Sequence, residues 1–293
     1  MYIDLSKLSD GFSSKFKVIS FFLAVVEIKK LEKKIYIYEK KTKDCPYLFT
    51  DLCLIKKFKV IKLKKKPKTE IKFSPYNYKE ELKKLKKKYF INEDINKKFN
   101  FISNLSYQKF IPNQKIQKKI NKIFLPKNFI GIHIRSTDRE IKIENFIKKI
   151  QFEEMIFNFQ IENMSKNLLN FIKSNTKIKN IFISSDDKIY KKKIFEKLKK
   201  SFNIYFNNSK YDIKNFRQTS GEDFLVELFC LSKSKMIIST LGGAVPKAAC
   251  LISNNEIKLH KWTQNKNFHI LFNYLILIIF NLKKIKSKLF NYL

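Results

Sequence analysis

The spacing of apolar residues divides the chain into short strands alternating with helices. Tyr2–Leu5 is a brief apolar run that predicts a first strand. From Phe12 to about Lys33, residues Phe16, Ile19, Phe22, Leu23, Val26 and Ile28 recur at near-helical intervals and predict a helix. Lys34–Tyr38 (KIYIY) alternates and is β-branched or aromatic, which predicts a strand. A short helix is expected over Cys45–Leu54, a strand over Phe58–Leu63 and a charged amphipathic helix over Tyr78–Tyr89. Residues 91–110 show no clear period. Pro112–Phe124 reads as helix, with Ile116, Ile120 and Phe124 on one face.

The pattern sharpens in the second half. Asn128–Ile134 (NFIGIHI) predicts a buried strand, Glu144–Ile172 a long helix, and Ile178–Ser184 a strand that runs into Ser185, Asp186 and Asp187. Ile189–Phe202 is read as a helix, Ile204–Phe206 as a strand, Gly221–Ser234 as a helix and Met236–Thr240 as a strand. Gly242 and Gly243 then lead into a helix over Ala244–Ile252, a last strand over Glu256–His260 and a very apolar helix over Phe268–Leu282. Strands alternating with helices imply α/β architecture with doubly wound parallel sheets. A break near residues 105–125 divides the chain into an expected N-terminal domain, 1–111, and a C-terminal domain, 112–293. In such folds ligands sit beyond the C-terminal ends of strands. Three polar windows fall there: Arg135–Arg139, Ser184–Asp187 and Ser239–Gly243.

Composition bounds the partners. With 293 residues and 44% hydrophobic content the chain can build a sizeable core. No run approaches the ~18 apolar residues of a spanning helix, and the N-terminus lacks a basic-then-apolar leader. The cysteines, Cys45, Cys53, Cys230 and Cys250, form no CxxC pair, which argues against a disulfide scaffold or zinc ribbon. These features predict a reduced, cytoplasmic protein. The net charge of +36 invites a nucleic-acid partner. Yet only Arg135, Arg139 and Arg217 are arginine, and Lys, Ile, Asn, Phe and Tyr, all with AT-rich codons, make up more than half of the chain. Bidentate phosphate and base recognition favours arginine. A solvated lysine surface is therefore expected, without specific nucleic-acid binding. Lysine runs such as Lys56–Lys68 and Lys83–Lys88 suit peripheral contact with the anionic inner face of a membrane.

The bias against glycine and arginine makes the remaining ones informative. Gly131, Arg135 and Arg139 share one nine-residue window, and Gly242 and Gly243 are adjacent. His133 and Arg135 lie two apart, so on a strand they share a face. An arginine fork suits a diphosphate, and a histidine can contact base, ribose or phosphate. An Arg135–Asp138 ion pair beside a buried His133 is the plain alternative. The short hydroxyls and carboxylates of Ser184–Asp187 can cap the next helix or hold a hydroxyl. Ser239, Thr240 and Gly242 stand before a helix N-terminus that could receive phosphate. Gly11, Phe12 and Ser13 form a second candidate phosphate loop. No DxD triplet occurs and the three histidines are scattered, so no metal site is expected.

The order of these segments carries a resemblance. FIGIHIRSTD resembles the HxR(R)xD motif of the GDP-fucose-dependent fucosyltransferases, the α-1,2-, α-1,6- and protein O-fucosyltransferases. FISSDD is similar to their strand-then-DD segment, and GEDFLVELFCLSKSKMIISTLGGAVPKAA to their helix, ST strand and following helix. DGFSSKFKVISFFLAVVEIKKLEKKIYIYE resembles their N-terminal glycine loop, helix and strand. The likeness spans roughly residues 1–55 and 112–262. It implies a GT-B fold, two Rossmann-like domains facing a cleft, and inverting, metal-independent transfer of fucose from GDP-fucose to a cell-surface glycan or lipid-linked saccharide. It implies that Arg135 binds the diphosphate and His133 the nucleotide, and that Glu227 holds guanine or ribose. Ser239, Thr240 and Gly242, with Asp187, would line the donor, and Gly11, Phe12 and Ser13 would close over its phosphates. Asp138, Glu140 and Glu144 stay open as the general base. Two departures stand out: Ser136 follows Arg135 where many members carry a second arginine, and Glu227 stands where the α-1,6 group usually has Asp. An inactive relative that keeps the fold, or a basic protein binding nucleic acid or a membrane surface, is the competing reading.

Overall fold

The computed structural model describes residues 1–8, 12–41, 47–68, 71–74, 77–134, 168–186, 188–209, 219–240 and 244–262. Within these residues the chain is α/β. β1 (Tyr2–Asp4), β2 (Lys34–Tyr38) and β4 (Lys59–Lys62) form a parallel sheet in the order β1-β2-β4. β3 (Cys53–Ile55) and β5 (Phe110–Pro112) make a short antiparallel ladder. A five-stranded parallel sheet follows, from β6 (Ile130–Ile134), β7 (Asn180–Ser185), β8 (Asn203–Phe206), β9 (Met236–Thr240) and β10 (Lys258–Trp262), in the order β10-β9-β6-β7-β8.

The first helix, α1 (Phe12–Ile28), is buried over most of its circumference, from Phe12 and Phe16 to Val26. Phe16 packs its ring edge-on against Phe49 and Phe110, with centroids 5.6 and 4.5 Å away. Of the helix expected over Cys45–Leu54, the described residues form α2 (Phe49–Leu52), and Cys53–Ile55 leaves it to pair with the distant Phe110–Pro112. α3 (Tyr78–Lys88) matches its predicted span closely. α4 (Glu93–Leu105) occupies the stretch without a clear period. It starts where the Asn92 side chain accepts a hydrogen bond from the Ile95 amide. α5 (Gln114–Asn121) is capped in the same way by Asn113.

Period-two alternation in β6 sends Ile130, Ile132 and Ile134 to one face of the large sheet and Gly131 and His133 to the other. The isoleucines join Ile181, Ile183 and Ile238 in a core closed by the helical residues 168–175 and by α6 (Lys188–Leu198). The opposite face receives α7 (Gly221–Leu231), whose Leu225, Leu228 and Leu231 belong to a core that also holds Phe16, Ile19 and Leu23 of α1. Gly131 lets the end of this helix approach the sheet closely. A Cβ there would lie 2.7 Å from Leu231 Cδ2 and 3.3 Å from Ser234 Oγ. α8 (Ala244–Ile252) completes this layer. The apolar helix expected over Phe268–Leu282 lies outside the described residues.

Candidate functional site

In chain order the large sheet reads 5-4-1-2-3, a doubly wound order whose direction reverses between β6 and β9. Such a reversal opens a crevice at the C-terminal strand ends. His133 of β6 stands at that point. It is in register with Ser239 of β9 on one side and Ser184 of β7 on the other. All three are buried, at 6%, 0% and 1% exposure. Hydrophobic strands that turn polar at this end place two hydroxyls and an imidazole side by side.

α7 delivers carboxylates to the same place. Ser220 caps it, its Oγ accepting from the Asp223 amide at 3.0 Å and donating to Asp223 Oδ2 at 2.8 Å. One turn on, Glu227 is 5% exposed and fully engaged. Its Oε2 accepts from Ser184 Oγ at 2.8 Å. Its Oε1 accepts from Lys191 Nζ of α6 at 2.7 Å and from Ser209 Oγ at 3.3 Å. Ser184 Oγ lies 3.2 Å from His133 Nδ1. Lys191 also donates to the Asn207 carbonyl at 3.0 Å, and the Asn207 amide donates to Asp223 Oδ1 at 3.0 Å. The result is one buried polar network under the strand ends, in which each oxygen of Glu227 has a donor, as burial requires.

The N-terminal half reaches this helix through Phe12. Its ring stacks on Phe224 of α7, with centroids 5.8 Å apart. A Cβ on Gly221 would lie 2.8 Å from Phe12 Cε2, and would meet the Tyr47 ring. Beneath Phe12, Lys15 is fully buried. Its Nζ donates to Glu39 Oε2 at 3.1 Å and to the Tyr47 carbonyl at 2.9 Å. Glu39 also accepts from the Phe49 and Thr50 amides at 2.8 Å each, so it neutralises a lysine and caps α2 at once. Ser13 sits in the first turn of α1 beside Phe12.

Of the predicted site residues, the structure thus brings His133, Glu227 and Ser239 to the strand ends, with Thr240 closing β9, and sets Phe12 against the helix that carries Glu227. Gly11, Arg135, Asp138, Glu140, Glu144, Asp187 and Gly242 lie outside the described residues. Sequence reasoning missed Lys191, Asn207 and Ser209. The only signal for Lys191 was its place on the helix after the Ser184–Asp187 window. Among the described residues, no three His, Cys, Asp or Glu side chains come together as a metal site, and no helix is long and apolar enough to cross a membrane.

No protein-family model matches the chain, and no curated protein matches it. Solved structures do. Selenomethionine-labelled fucosyltransferase NodZ from Bradyrhizobium aligns at a TM-score of 0.52 and 11% identity, over 86% of this chain and 92% of that one. NodZ α-1,6-fucosyltransferase soaked with GDP-fucose aligns at 0.50 and 12% identity, over the same shares. The apo form of POFUT1 aligns at 0.51 and 10% identity, over 88% of this chain and 97% of that one. The likeness is one of fold, and across most of its length the chain shares the GT-B fold of these fucosyltransferases.

Proposed function

We propose that the protein is an inverting glycosyltransferase that moves fucose from GDP-fucose to a hydroxyl of a cell-surface glycan or a lipid-linked saccharide. One observation carries the reading. His133, Ser184 and Ser239 stand side by side at the reversal point of a doubly wound sheet, in a fold shared with a fucosyltransferase that was soaked with GDP-fucose. The order of motifs along the sequence supports it independently.

In this reading the acceptor oxygen forms a bond to the anomeric carbon as the bond from that carbon to the GDP oxygen breaks. Arg135 binds the diphosphate and stabilises the charge that develops on the leaving GDP. No metal is needed for that charge. The acceptor proton passes to a carboxylate, with Asp138, Glu140 and Glu144 as candidates. The N-terminal half, 1–111, faces the acceptor, and the C-terminal half, 112–293, holds the donor. Gly11, Phe12, Ser13, Asp187, Thr240 and Gly242 line the donor. The protein works in the cytoplasm, and its lysine surface meets the anionic inner face of the membrane.

Thermal unfolding with GDP, UDP, ADP and CMP tests this. A nucleotide at ~100 times its dissociation constant should add roughly 2.7 kcal/mol. GDP alone is expected to stabilise the wild type and to lose its effect in Arg135→Ala. A shift by UDP instead would reject fucose. No shift by any of the four would point to a relative that keeps the fold without the activity.

A further inference from the structure

The hydrogen-bond network has a direction. Glu227 Oε1 pairs with the Lys191 ammonium, so the group is a carboxylate and can only accept. Ser184 Oγ has one proton, and at 2.8 Å it gives that proton to Glu227 Oε2. The same oxygen lies 3.2 Å from His133 Nδ1. With its proton committed, the hydroxyl can meet the ring only through a lone pair. Nδ1 must therefore carry the hydrogen. In a histidine, the bond made by one nitrogen decides the state of the other, so a neutral His133 has a bare lone pair at Nε2. Ser184 and Glu227 are 1% and 5% exposed, which keeps water from supplying the hydroxyl with another partner.

We propose that Glu227 is a positioning residue: through Ser184 it holds His133 in the Nδ1–H tautomer, so that Nε2 accepts a hydrogen bond from a hydroxyl or N–H of the nucleoside instead of donating one to the phosphates. The tautomer follows from the network alone, while the ligand it serves rests on the donor reading proposed above. This differs from the direct nucleotide contact that the family resemblance implies for Glu227. Both of its oxygens are already engaged by side chains of this chain, and at 5% exposure the carboxylate offers a base edge little surface. Lys191 takes part by holding Glu227 Oε1, which turns Oε2 toward Ser184. A neutral Glu227 could give its own proton to Ser184 and reverse the relay.

The test is nitrogen–proton correlation NMR on the full chain with labelled histidine, at a pH where the imidazole is neutral. The three histidines are His133, His260 and His269, and His133→Gln identifies the signal. The expected wild-type pattern is a protonated Nδ1 and an unprotonated Nε2. Ser184→Thr should keep it and Ser184→Ala should lose it. Glu227→Gln gives the sharpest result. Its amide can donate to Ser184 Oγ, the hydroxyl then turns to Nδ1, and the hydrogen moves to Nε2 with no change of shape. A wild-type Nε2–H tautomer, or no change in both Ser184→Ala and Glu227→Gln, would overturn the relay, and the wild-type spectrum decides even if a variant does not fold. Addition of GDP should leave Nε2 unprotonated, and its protonation on binding would overturn the acceptor role. An Nδ1–H tautomer in a protein that ignores GDP would reject the donor reading and leave the relay standing.

Discussion

Lys191 Nζ and Glu227 Oε1 stand 2.7 Å apart with side chains only 9% and 6% exposed, joining α6 to α7 under the strand ends. Removing one member of such a pair strands the other charge in a water-poor site. That loss typically exceeds what the intact pair contributes, at about 3–5 kcal/mol. Lys191→Met is expected to cost that much in urea unfolding. Adding Glu227→Gln to Lys191→Met should recover a large part of it, because the uncompensated charge is then gone. A loss under ~1 kcal/mol for Lys191→Met would show that the pair is solvated and has little structural weight.

Burial raises the Cys230 thiol to about 12, with nearby Glu227 adding to the rise and Lys233 and Lys191 opposing it. The folded thiol keeps its proton to a higher pH than the unfolded one, whose ordinary value is 9.0. Its contribution to stability is thus complete below about pH 9 and is lost as pH climbs toward about 12, with a limiting slope of about 1.4 kcal/mol per pH unit. Cys53 and Tyr107 are pushed up by burial as well, so the readout is a difference. Cys230→Ala should lower stability at neutral pH through lost packing and flatten the alkaline decline by up to one proton's worth. Parallel pH–stability curves for the two proteins would sink the assignment.

What the sequence made legible, and what it did not, divides on locality. The ends of β6, β7 and β9 could be placed from apolar runs that turn polar, because a strand's burial pattern is written in its own residues. The strand order could not, since register between β6 and β9 depends on residues about a hundred positions apart. For the same reason the expected helix before Leu54 was cut short, as Cys53–Ile55 answers to Phe110–Pro112. α4 was obscured because Phe101 and Leu105 lie exposed, at 64% and 41%, among the apolar positions that would mark its buried face. The buried lysines were hidden by number. In a chain with 62 basic residues nothing local separates Lys15 or Lys191 from the solvated majority. The carboxylates that face them, Glu39 and Glu227, make their burial tolerable, and these lie far away in the sequence. Scarce glycine was a truer signal. Gly131 and Gly221 both prove to be points where two elements touch too closely for a side chain.

Gly221 gives the most direct test of how the two halves meet. It follows the cap residue Ser220, and a Cβ there would come within 2.5 Å of Tyr47 Cδ2 and 2.8 Å of Phe12 Cε2. Neither ring can swing aside easily. Phe12 is stacked on Phe224, and the Tyr47 carbonyl is held by buried Lys15. Alanine is intrinsically the better helix residue, so a purely local view predicts that Gly221→Ala stabilises the protein. The packing predicts the opposite sign, a loss of about 1–3 kcal/mol from forced displacement. A double-mutant cycle separates the two, because residues in contact are not additive. In a Tyr47→Ala background the cost of Gly221→Ala should shrink, leaving only the contact with Phe12. If the donor reading is right, Gly221→Ala should also weaken GDP binding, since it pushes the first turn of α1 away from the helix that carries Glu227. Unchanged or increased stability in Gly221→Ala would mean that the aromatic contacts at this junction yield freely and do not fix how α1 meets α7.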